Sequence, residues 1–476
     1  MTIRAIDVHG FGGGFTLGVS QAGFELVAKK GREVGFGVLN VLANRQLLPG
    51  PWEVESGEPS MWVPQEANLV FGNPPCSGFS TLSPKAFRGI NSSINECMWE
   101  VIRYAGKVAP EIVIFESVQQ AFTQGRELMT ALRAELEAIS GETYNLHHVL
   151  HNNASTGGMS LRRRYFWVAA RIPFGVEANA TRYDFRNERL ETYDLKRVPS
   201  LGEAFADLEP LALTMQPQGY RAAHREEHLE WNPETQEFES TYDDPWIEVQ
   251  SGSWWSKEHM HDGTGTVDGH DIFRSPTYDR IAELMSLEPW AEGERMSDVM
   301  RRYYEEHGDL PASWHYPSKK PMLTTDGQPM LDDNGKKMME PIRKDHRLIE
   351  TDFAMGHNQP IRWYGNRLAR VITGGAVHLF VHPTQPRSFT HREAARIQGF
   401  PDAWKIWPVR GAADLGPGWG KGVPVHSGRW IADWARRSIE GNPGSNVGEA
   451  IGDDREYVIN LTNEYRPYAK AMGDNG

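Results

Sequence analysis

Residues 3–30, "IRAIDVHGFGGGFTLGVSQAGFELVAKK", constrain the fold more than any other segment of the chain. The pattern predicts a short apolar strand, a glycine-rich turn, a helix and a second short strand. Glycines in such a turn allow the backbone to approach a ligand closely, and this unit opens a nucleotide site in many parallel α/β sheets. We therefore predict that the chain begins with a parallel α/β domain.

Strand and helix patterns continue to alternate up to about residue 210. Apolar strands are predicted at 67–72, 111–117 and 164–170. Between them, apolar residues recur at helical spacing in two groups: Ile94, Met98, Val101, Ile102 and Ala105, and Leu128, Leu132, Leu136 and Ile139. The alternation predicts an α/β fold with a mostly parallel, doubly wound sheet that is covered by helices on both faces.

The 476-residue chain is long enough for at least two domains. Residues 211–365 lose the alternation, are rich in Trp, His, Asp and turn residues, and contain Asp-Gly and Asn-Gly pairs that predict β-hairpins. We predict a first domain at 1–210, an inserted domain at 211–365 and a return to the first domain at 366–440. A C-terminal tail at 441–476 has no predicted role.

The composition is that of an ordinary soluble protein, with 39% hydrophobic and 24% charged residues. No segment resembles a membrane span or a signal peptide, so we expect a cytoplasmic protein. Two cysteines, Cys76 and Cys97, cannot form a disulfide framework or a cysteine-rich zinc site, and no metal site is predicted. The net charge of −13 has the wrong sign for coating nucleic acid, so a nucleic-acid substrate would need a local basic groove.

Three short motifs carry candidate reactive groups. Cys76 in "VFGNPPCSGFST" follows two prolines at the end of a predicted buried strand, where it could be a nucleophile or a small buried hydrophobe. Glu116 ends the strand "EIVIFES" and could be a functional acid or a solvated strand end. Arg162 and Arg164 in "SLRRRYF" could form a surface patch, a phosphate clamp or part of a site. Taken singly, the motifs leave these alternatives open.

Six segments appear in a characteristic order: "AIDVHGFGGGFTLGVSQAGF", "GNPPCSGFS", "VIFESV", "SLRRRYFWV", "RSFTHREAARIQGFPD" and "GWGKGVPVHSGRWIADWA". This order resembles the motif blocks of the DNA cytosine-5 methyltransferases. The resemblance, with "VPSLGEAFADLEP", covers about residues 1–210 and 365–440, and 211–365 lies where that family has its target-recognition domain. It implies a Rossmann-like methyltransferase fold, the cofactor S-adenosyl-L-methionine and a double-stranded DNA substrate. We also expect the protein to be a monomer.

The resemblance also implies catalytic roles. Carbon 5 of cytosine is a poor nucleophile, so Cys76 would attack carbon 6 to load electron density onto carbon 5. Glu116 would bind and protonate the ring-nitrogen edge, and Arg162 and Arg164 would orient the base and stabilise the adduct. A base inside a duplex is out of reach, so the target cytosine would have to be flipped out.

Matching the cofactor blocks residue by residue implies a set of cofactor contacts: Asp7, His9, Phe11, Gly12, Gly13, Gly14, Glu33, Pro75, Lys421 and Val423. Some positions depart from the family pattern. His9 and Phe11 stand where Phe and Gly are usual, and Arg32 lies in register with the acidic residue that normally holds the ribose, with Glu33 one place later.

Two further departures flank the catalytic residues. Ser117 replaces an asparagine after Glu116, and Ser160 replaces a glutamine before the arginines. Both substitutions would loosen the pocket without removing its acid or its cations.

Lys421 is the most suggestive departure, because the last block normally has an asparagine there, beside the reacting end of the cofactor. A cation close to a sulfonium is unfavourable. A carboxylate on the transferred group, as in carboxy-S-adenosyl-L-methionine, would compensate, and the product would then be 5-carboxymethylcytosine. Alternatively, Lys421 faces solvent or a DNA phosphate and the reaction is ordinary methyl transfer.

Other functions remain as alternatives. Amino-methyltransferases also have Asn-Pro-Pro loops, but they place an aromatic residue where this chain has Cys76. A catalytically inactive DNA-binding homologue and an RNA substrate such as tRNA are the others. A restriction-modification partner, a bacteriophage anti-restriction enzyme and a hypermodification enzyme would share this sequence pattern.

Overall fold

The computed structural model describes most of the first and last parts of the chain and short pieces of the middle. The described residues are 2–32, 36–42, 44–80, 88–177, 181–184, 189–192, 200–206, 221–223, 229–232, 237–240, 246–248, 254–255, 273–274, 284–308, 318–322, 324, 330–331, 338–342, 360–372, 380–385, 389, 391–404 and 419–463.

The described strands are β1 (Arg4–Val8), β2 (Glu25–Gly31), β3 (Glu53–Ser56), β4 (Leu69–Gly72), β5 (Ile112–Ser117), β6 (Asn145–Asn152), β7 (Arg163–Ala170), β8 (Thr181–Asp184), β9 (Arg189–Thr192), β10 (Arg221–Ala223), β11 (Leu229–Asn232), β12 (Glu237–Ser240), β13 (Trp246–Glu248), β14 (Trp254–Trp255), β15 (Phe273–Arg274), β16 (Ser318–Pro321), β17 (Met339–Ile342), β18 (Ile361–Arg362), β19 (Phe380–Val381), β20 (Glu449–Ile451) and β21 (Asp453–Leu461). The described α-helices are α1 (Gly14–Gln21), α2 (Phe36–Leu42), α3 (Glu96–Val108), α4 (Gln119–Ser140), α5 (Leu201–Phe205), α6 (Met296–His307), α7 (His391–Ile397) and α8 (Val425–Ile439).

A nine-stranded sheet in the order β20-β21-β6-β7-β5-β4-β1-β2-β3 forms the centre of the described structure. Strand β7 runs antiparallel to β5 and β6, and β20 runs antiparallel to β21, whereas the other neighbouring pairs are parallel. The fold is therefore α/β with a mostly parallel sheet, as the sequence predicts. The strands predicted at 67–72, 111–117 and 164–170 are confirmed as β4, β5 and β7.

Alternating residues of the strands pack into two different apolar layers, one on each face of the sheet. Ala5, Leu69 and Ile112 contribute to one core cluster, together with residues of α1 and α8. The residues that follow them in sequence, Ile6, Val70 and Val113, contribute to the other cluster with α3 and α4. Since side chains in a strand alternate between faces, this division confirms a sheet covered by helices on both sides.

Helices α1 and α8 pack closely because glycines face the contact. A Cβ on Gly18 would lie 2.5 Å from the backbone nitrogen of Arg429, and a Cβ on Gly14 would lie 2.0 Å from the carbonyl oxygen of Val423. Neither position has room for a side chain. The glycine-rich first block therefore also serves to bring the last block against it.

The C-terminal segment contributes two strands to the central sheet. Strand β21 pairs in parallel with β6, and β20 forms the sheet edge beyond it. Residues 449–461 of the tail thus belong to the α/β unit, which the sequence did not predict.

A buried polar network attaches this segment. His148 Nε2 lies 2.7 Å from Glu456 Oε1, and His148 Nδ1 lies 2.7 Å from the hydroxyl of Tyr165. The Arg126 Nε donates to the same Glu456 oxygen at 3.2 Å. Because Glu456 is only 3% exposed, its charge depends on these partners.

Replacing Glu456 with Ala is expected to lower the free energy of unfolding by about 3 kcal/mol, because the buried histidine and the arginine lose their acceptor. Urea unfolding followed by circular dichroism measures this change. Glu449→Ala on the neighbouring strand β20 is the matched control, since Glu449 is exposed. Equal effects of the two substitutions would contradict the proposed attachment.

The described part of the middle region consists of short strand pairs and helix α6. Strands β16 and β17 pair antiparallel. The Asp-Gly and Asn-Gly pairs at 326–327 and 334–335, at which hairpins are predicted, lie outside the described residues. The α6 region has a small core of its own: Leu284, Trp290, Met296, Val299, Met300 and Val381. No helix among the described residues is both long and apolar enough to cross a membrane.

Candidate active site

The carboxyl ends of three parallel strands lie side by side. Val8 at the end of β1 pairs with Gly72 at the end of β4, and Gly72 pairs with Phe115 of β5. The loops that follow β1 and β4 carry the glycine-rich block and Cys76, and Glu116 is the last but one residue of β5. Because β7 is antiparallel to β5, its first residues, including Arg164, lie at the same edge.

Glu116 is the central acid of this edge. Its carboxylate is buried, accepts a hydrogen bond from Asn73 Nδ2 at 2.9 Å on Oε2, and lies 2.9 Å from Arg164 Nε on Oε1. Burial raises the pKa of Glu116 to about 7, against the lowering effects of Arg164 and Arg162. Near neutral pH the group is therefore able both to hold and to donate a proton.

Cys76 lies in the loop after β4 and is partly buried. Burial raises the pKa of its thiol and Glu116 raises it further, whereas Arg164 and Arg162 lower it. A thiol in this setting is mostly protonated at neutral pH, so the two arginines are the groups that favour its reactive thiolate. Cys97 lies elsewhere, on α3 beside His9 and Glu100.

Arg162 and Arg164 have different partners. Arg162 is buried and donates to the carbonyl oxygens of Gly420 at 2.7 Å, Gly422 at 2.9 Å and Ile372 at 3.4 Å. It therefore holds the backbone around Lys421. Only Arg164 of the pair contacts Glu116 directly, at the 2.9 Å distance above.

The glycine-rich loop after β1 is fixed by Asp7. The Oδ2 atom of Asp7 accepts hydrogen bonds from Thr16 Oγ1 and Lys29 Nζ, both at 2.6 Å, and Lys29 Nζ also donates to the Gly10 carbonyl at 3.0 Å. A Cβ on Gly10 would lie 2.1 Å from Asp7 Oδ1. The predicted cofactor residue Asp7 thus shapes the loop from within.

Glycine is required at two further positions of the loop. Gly12 and Gly13 have φ angles of 71° and 86°, which side chains disfavour. A Cβ on Gly13 would also lie 2.6 Å from the ring of Trp404. The sequence did not single out Trp404, or Asn40, whose Nδ2 donates to the Gly12 carbonyl at 3.0 Å.

The remaining predicted cofactor residues differ in their exposure. Phe11 is half-buried, Pro75 and Lys421 are exposed, and Val423 is buried. Gly422 approaches the carbonyl oxygen of Phe11, since a Cβ there would lie 3.2 Å from it. Loop 420–422 therefore lies against the first block. Glu33 is outside the described residues.

The structure shows the hydrogen bonding around the two serines that depart from the family pattern. Ser160 accepts a hydrogen bond from Asn153 Nδ2 at 2.8 Å. Ser117 is buried, and its hydroxyl has no hydrogen-bond partner among the residues that the structure describes. Asn73, which precedes the prolines and binds Glu116, is a site residue that sequence analysis missed.

Comparison with known proteins gives the family. The model of the C-5 cytosine-specific DNA methylase family matches residues 3–434. The chain belongs to this family. In this family member, Cys76, Glu116 and Arg164 come from three separate segments of the matched region, and the order of the sheet strands brings them to one edge.

A curated relative of this chain is the type II methyltransferase M.XorII of Xanthomonas oryzae pv. oryzae. It is 27% identical over 179 residues, which are 35% of this chain and 40% of the relative's length. The chain thus matches less than half of that relative.

Two solved structures are also similar. A putative DNA modification methyltransferase encoded within a prophage (E. coli) has a TM-score of 0.46 and 15% identity, over 93% of this chain and 99% of that chain. The Entamoeba histolytica methyltransferase EhMeth has a TM-score of 0.42 and 12% identity, over the same shares. The family assignment rests on the family model.

Proposed function

We propose that the protein transfers a methyl group from S-adenosyl-L-methionine to carbon 5 of cytosine in double-stranded DNA. The observation that carries the proposal is the buried carboxyl group of Glu116, whose pKa is raised to about 7. It lies 2.9 Å from Arg164, at the same edge of the sheet as the thiol of Cys76. A nucleophile, an acid and a cation at one site match the needs of an addition to the cytosine ring.

Cys76 attacks carbon 6 of the flipped cytosine, so an Sγ–C6 bond forms and the ring electrons move toward carbon 5. Glu116 donates its proton to the ring nitrogen and thereby neutralises the developing charge. Arg164 stabilises the carboxylate that remains on Glu116. After alkylation, solvent water takes the proton from carbon 5 and the Sγ–C6 bond breaks, which releases the thiolate of Cys76. The ring nitrogen returns its proton to the Glu116 carboxylate, so that both the aromatic ring and the acid are restored.

The residues around the glycine-rich loop fit the cofactor. The buried Oδ1 of Asp7 has no hydrogen-bond partner among the described residues and can accept one from a polar group of a ligand. Phe11 in the same loop is half-buried and Pro75 in the Cys76 loop is exposed, so both offer apolar surface to a ligand. Bound S-adenosyl-L-methionine would supply a methyl group that is activated by its sulfonium.

Incubation of the purified protein with duplex DNA and S-adenosyl-L-methionine, followed by mass spectrometry of the released nucleosides, tests this function. We expect 5-methylcytosine. Methylation on adenine or on the exocyclic nitrogen of cytosine would contradict the carbon-5 mechanism. Parallel incubation with tRNA tests the expected preference for DNA.

One observation favours a second candidate, carboxymethyl transfer from carboxy-S-adenosyl-L-methionine. Lys421 is exposed in the loop that Arg162 fixes and that touches Phe11. No carboxylate of the described residues forms an ion pair with Lys421. A cation beside the glycine-rich loop that has no carboxylate partner within the described structure is suited to bind a carboxylate on the transferred group.

Lys421→Asn separates the two candidates. If Lys421 pairs with the carboxylate, the wild-type protein yields 5-carboxymethylcytosine from the carboxylated cofactor, and the variant loses this product while it still yields 5-methylcytosine. A wild-type protein that yields only 5-methylcytosine when given each cofactor separately would exclude carboxymethyl transfer.

A further inference from the structure

Three charged or polar side chains form a cluster at the carboxyl ends of β1 and β2. His9 Nε2 lies 2.7 Å from Glu100 Oε2, and the guanidinium of Arg32 forms an ion pair with Glu100 Oε1. Glu100 is buried, whereas 49% of the Arg32 side chain is exposed. We refer to these residues as the His9–Glu100–Arg32 cluster.

Each member of the cluster comes from a different element. His9 follows β1 with a φ angle of 58°, a left-handed conformation that is uncommon for a residue other than glycine. Arg32 follows β2, and Glu100 lies on α3, the helix that covers one face of the sheet. The parallel strands β1 and β2 end at the same edge of the sheet. There α3 supplies the carboxylate of Glu100, whereas β2 is followed by a cation, Arg32.

The geometry leaves Glu100 with capacity for further hydrogen bonds. An ionised carboxylate accepts at about four lone-pair positions. The contacts of Glu100 within the described structure use one position on each oxygen, through His9 and Arg32. Two lone-pair positions of the carboxylate therefore remain for donors from a ligand.

A nucleoside that binds at this edge brings such donors. In doubly wound sheets, ligands bind outside the carboxyl ends of the strands, and an acid near the end of the second strand holds the ribose hydroxyls. Lys29 and Lys30, the other cations near the end of β2, are already paired with Asp7 and Glu55. Among the described residues near this end, Glu100 is the buried carboxylate whose partners come from both strand ends.

We propose that the His9–Glu100–Arg32 cluster is the binding site for the vicinal ribose hydroxyls of the cofactor, which deepens the proposed function and rests on it. Glu100 accepts hydrogen bonds from the hydroxyl groups, and His9 and Arg32 hold its carboxylate in position. The carboxylate that the end of β2 lacks is thus supplied by α3.

A metal ion is the rival occupant. The side-chain ligand atoms of His9, Cys97 and Glu100 lie within 4.8 Å of one another, which could suit a divalent cation. However, Arg32 already places a positive charge on Glu100, and a second cation there would be repelled by it. The charges therefore favour neutral hydroxyl donors.

Isothermal titration calorimetry with S-adenosylhomocysteine and its 2′-deoxy analogue tests the proposal. The wild-type protein is expected to bind S-adenosylhomocysteine about tenfold more tightly than the analogue, as for one hydrogen bond to a charged group. Glu100→Gln is expected to bind S-adenosylhomocysteine more weakly and to lose most of this preference. Glu96→Gln is the matched control on the same helix, since Glu96 is exposed and pairs with Arg103.

Several outcomes would overturn the proposal. One is a Glu100→Gln variant that binds S-adenosylhomocysteine with wild-type affinity. Another is an equal loss of affinity for S-adenosylhomocysteine and its 2′-deoxy analogue in that variant. A third is loss of the preference for S-adenosylhomocysteine in Glu33→Gln instead. Zinc binding that Cys97→Ala abolishes would make the cluster a metal site. If the wild-type protein methylates DNA and Glu100→Gln keeps the preference for the ribose ligand, only this inference is contradicted. If the wild-type protein does not bind S-adenosylhomocysteine, the proposed cofactor is contradicted.

Discussion

Cys76→Ser is expected to lower the rate of cytosine methylation by about 10⁴-fold or more, because removal of the nucleophile from a covalent mechanism removes the main reaction path. A serine hydroxyl is far less acidic than a thiol, and the arginines near Cys76 cannot lower its pKa enough to produce an alkoxide at neutral pH. Transfer of a radioactive methyl group to duplex DNA under single-turnover conditions measures the loss.

The Cys76→Ser variant should still fold and bind ligand. Its unfolding midpoint and its affinity for S-adenosylhomocysteine are expected to equal those of the wild-type protein, since Cys76 lies in a partly buried loop outside the sheet. A variant that binds ligand normally and keeps even a tenth of the wild-type rate would show that the reaction proceeds without the thiol.

Glu116→Gln is expected to lower the rate by about 10²–10⁴-fold, the usual contribution of a positioned general acid. The amide keeps the shape of the side chain and can still contact Asn73, but it has no proton to donate at neutral pH. Glu111→Gln is the matched control, because Glu111 precedes the same strand at its opposite end and pairs with Arg171 near the surface. This control should keep the wild-type rate.

The pH dependence gives a second signature of Glu116. The reactive form needs a protonated Glu116, whose pKa is about 7, and a deprotonated Cys76, whose pKa is raised. In the wild type, the loss of protonated Glu116 above about pH 7 offsets the gain of thiolate, so the rate should level off there. In Glu116→Gln only the thiolate titrates, so the logarithm of the rate should continue to rise with pH. Identical profiles would contradict the role of Glu116 as acid.

The sequence predicts the apolar strands of the sheet but not its polar ones. Strands β4 and β5 are continuous apolar runs that end in recognisable motifs. Strand β6 reads "NLHHVLHN", and its histidines become acceptable in a buried strand only through partners such as Tyr457 and Glu456, about 300 residues later. Local pattern carries no information about such distant partners.

Some residues of the candidate site can be predicted from the sequence and others cannot. Cys76, Glu116 and Arg164 are recognisable from ordered motifs, and the strand order explains why they meet. Asn73 and Glu100 could not be found from sequence, because neither residue type is unusual at its position. Their importance depends on contacts with Glu116 and His9 that only the fold creates.

Covalent trapping on duplex DNA that contains 5-fluorocytosine tests the central claim most directly. Fluorine cannot leave carbon 5 as a proton does, so a thiol that has added to carbon 6 stays bound after alkyl transfer. With S-adenosyl-L-methionine present, we expect a stable protein–DNA adduct whose linked peptide contains Cys76. Absence of an adduct from a protein that methylates ordinary DNA, or a link through any other residue, would contradict the assignment of Cys76 as the nucleophile.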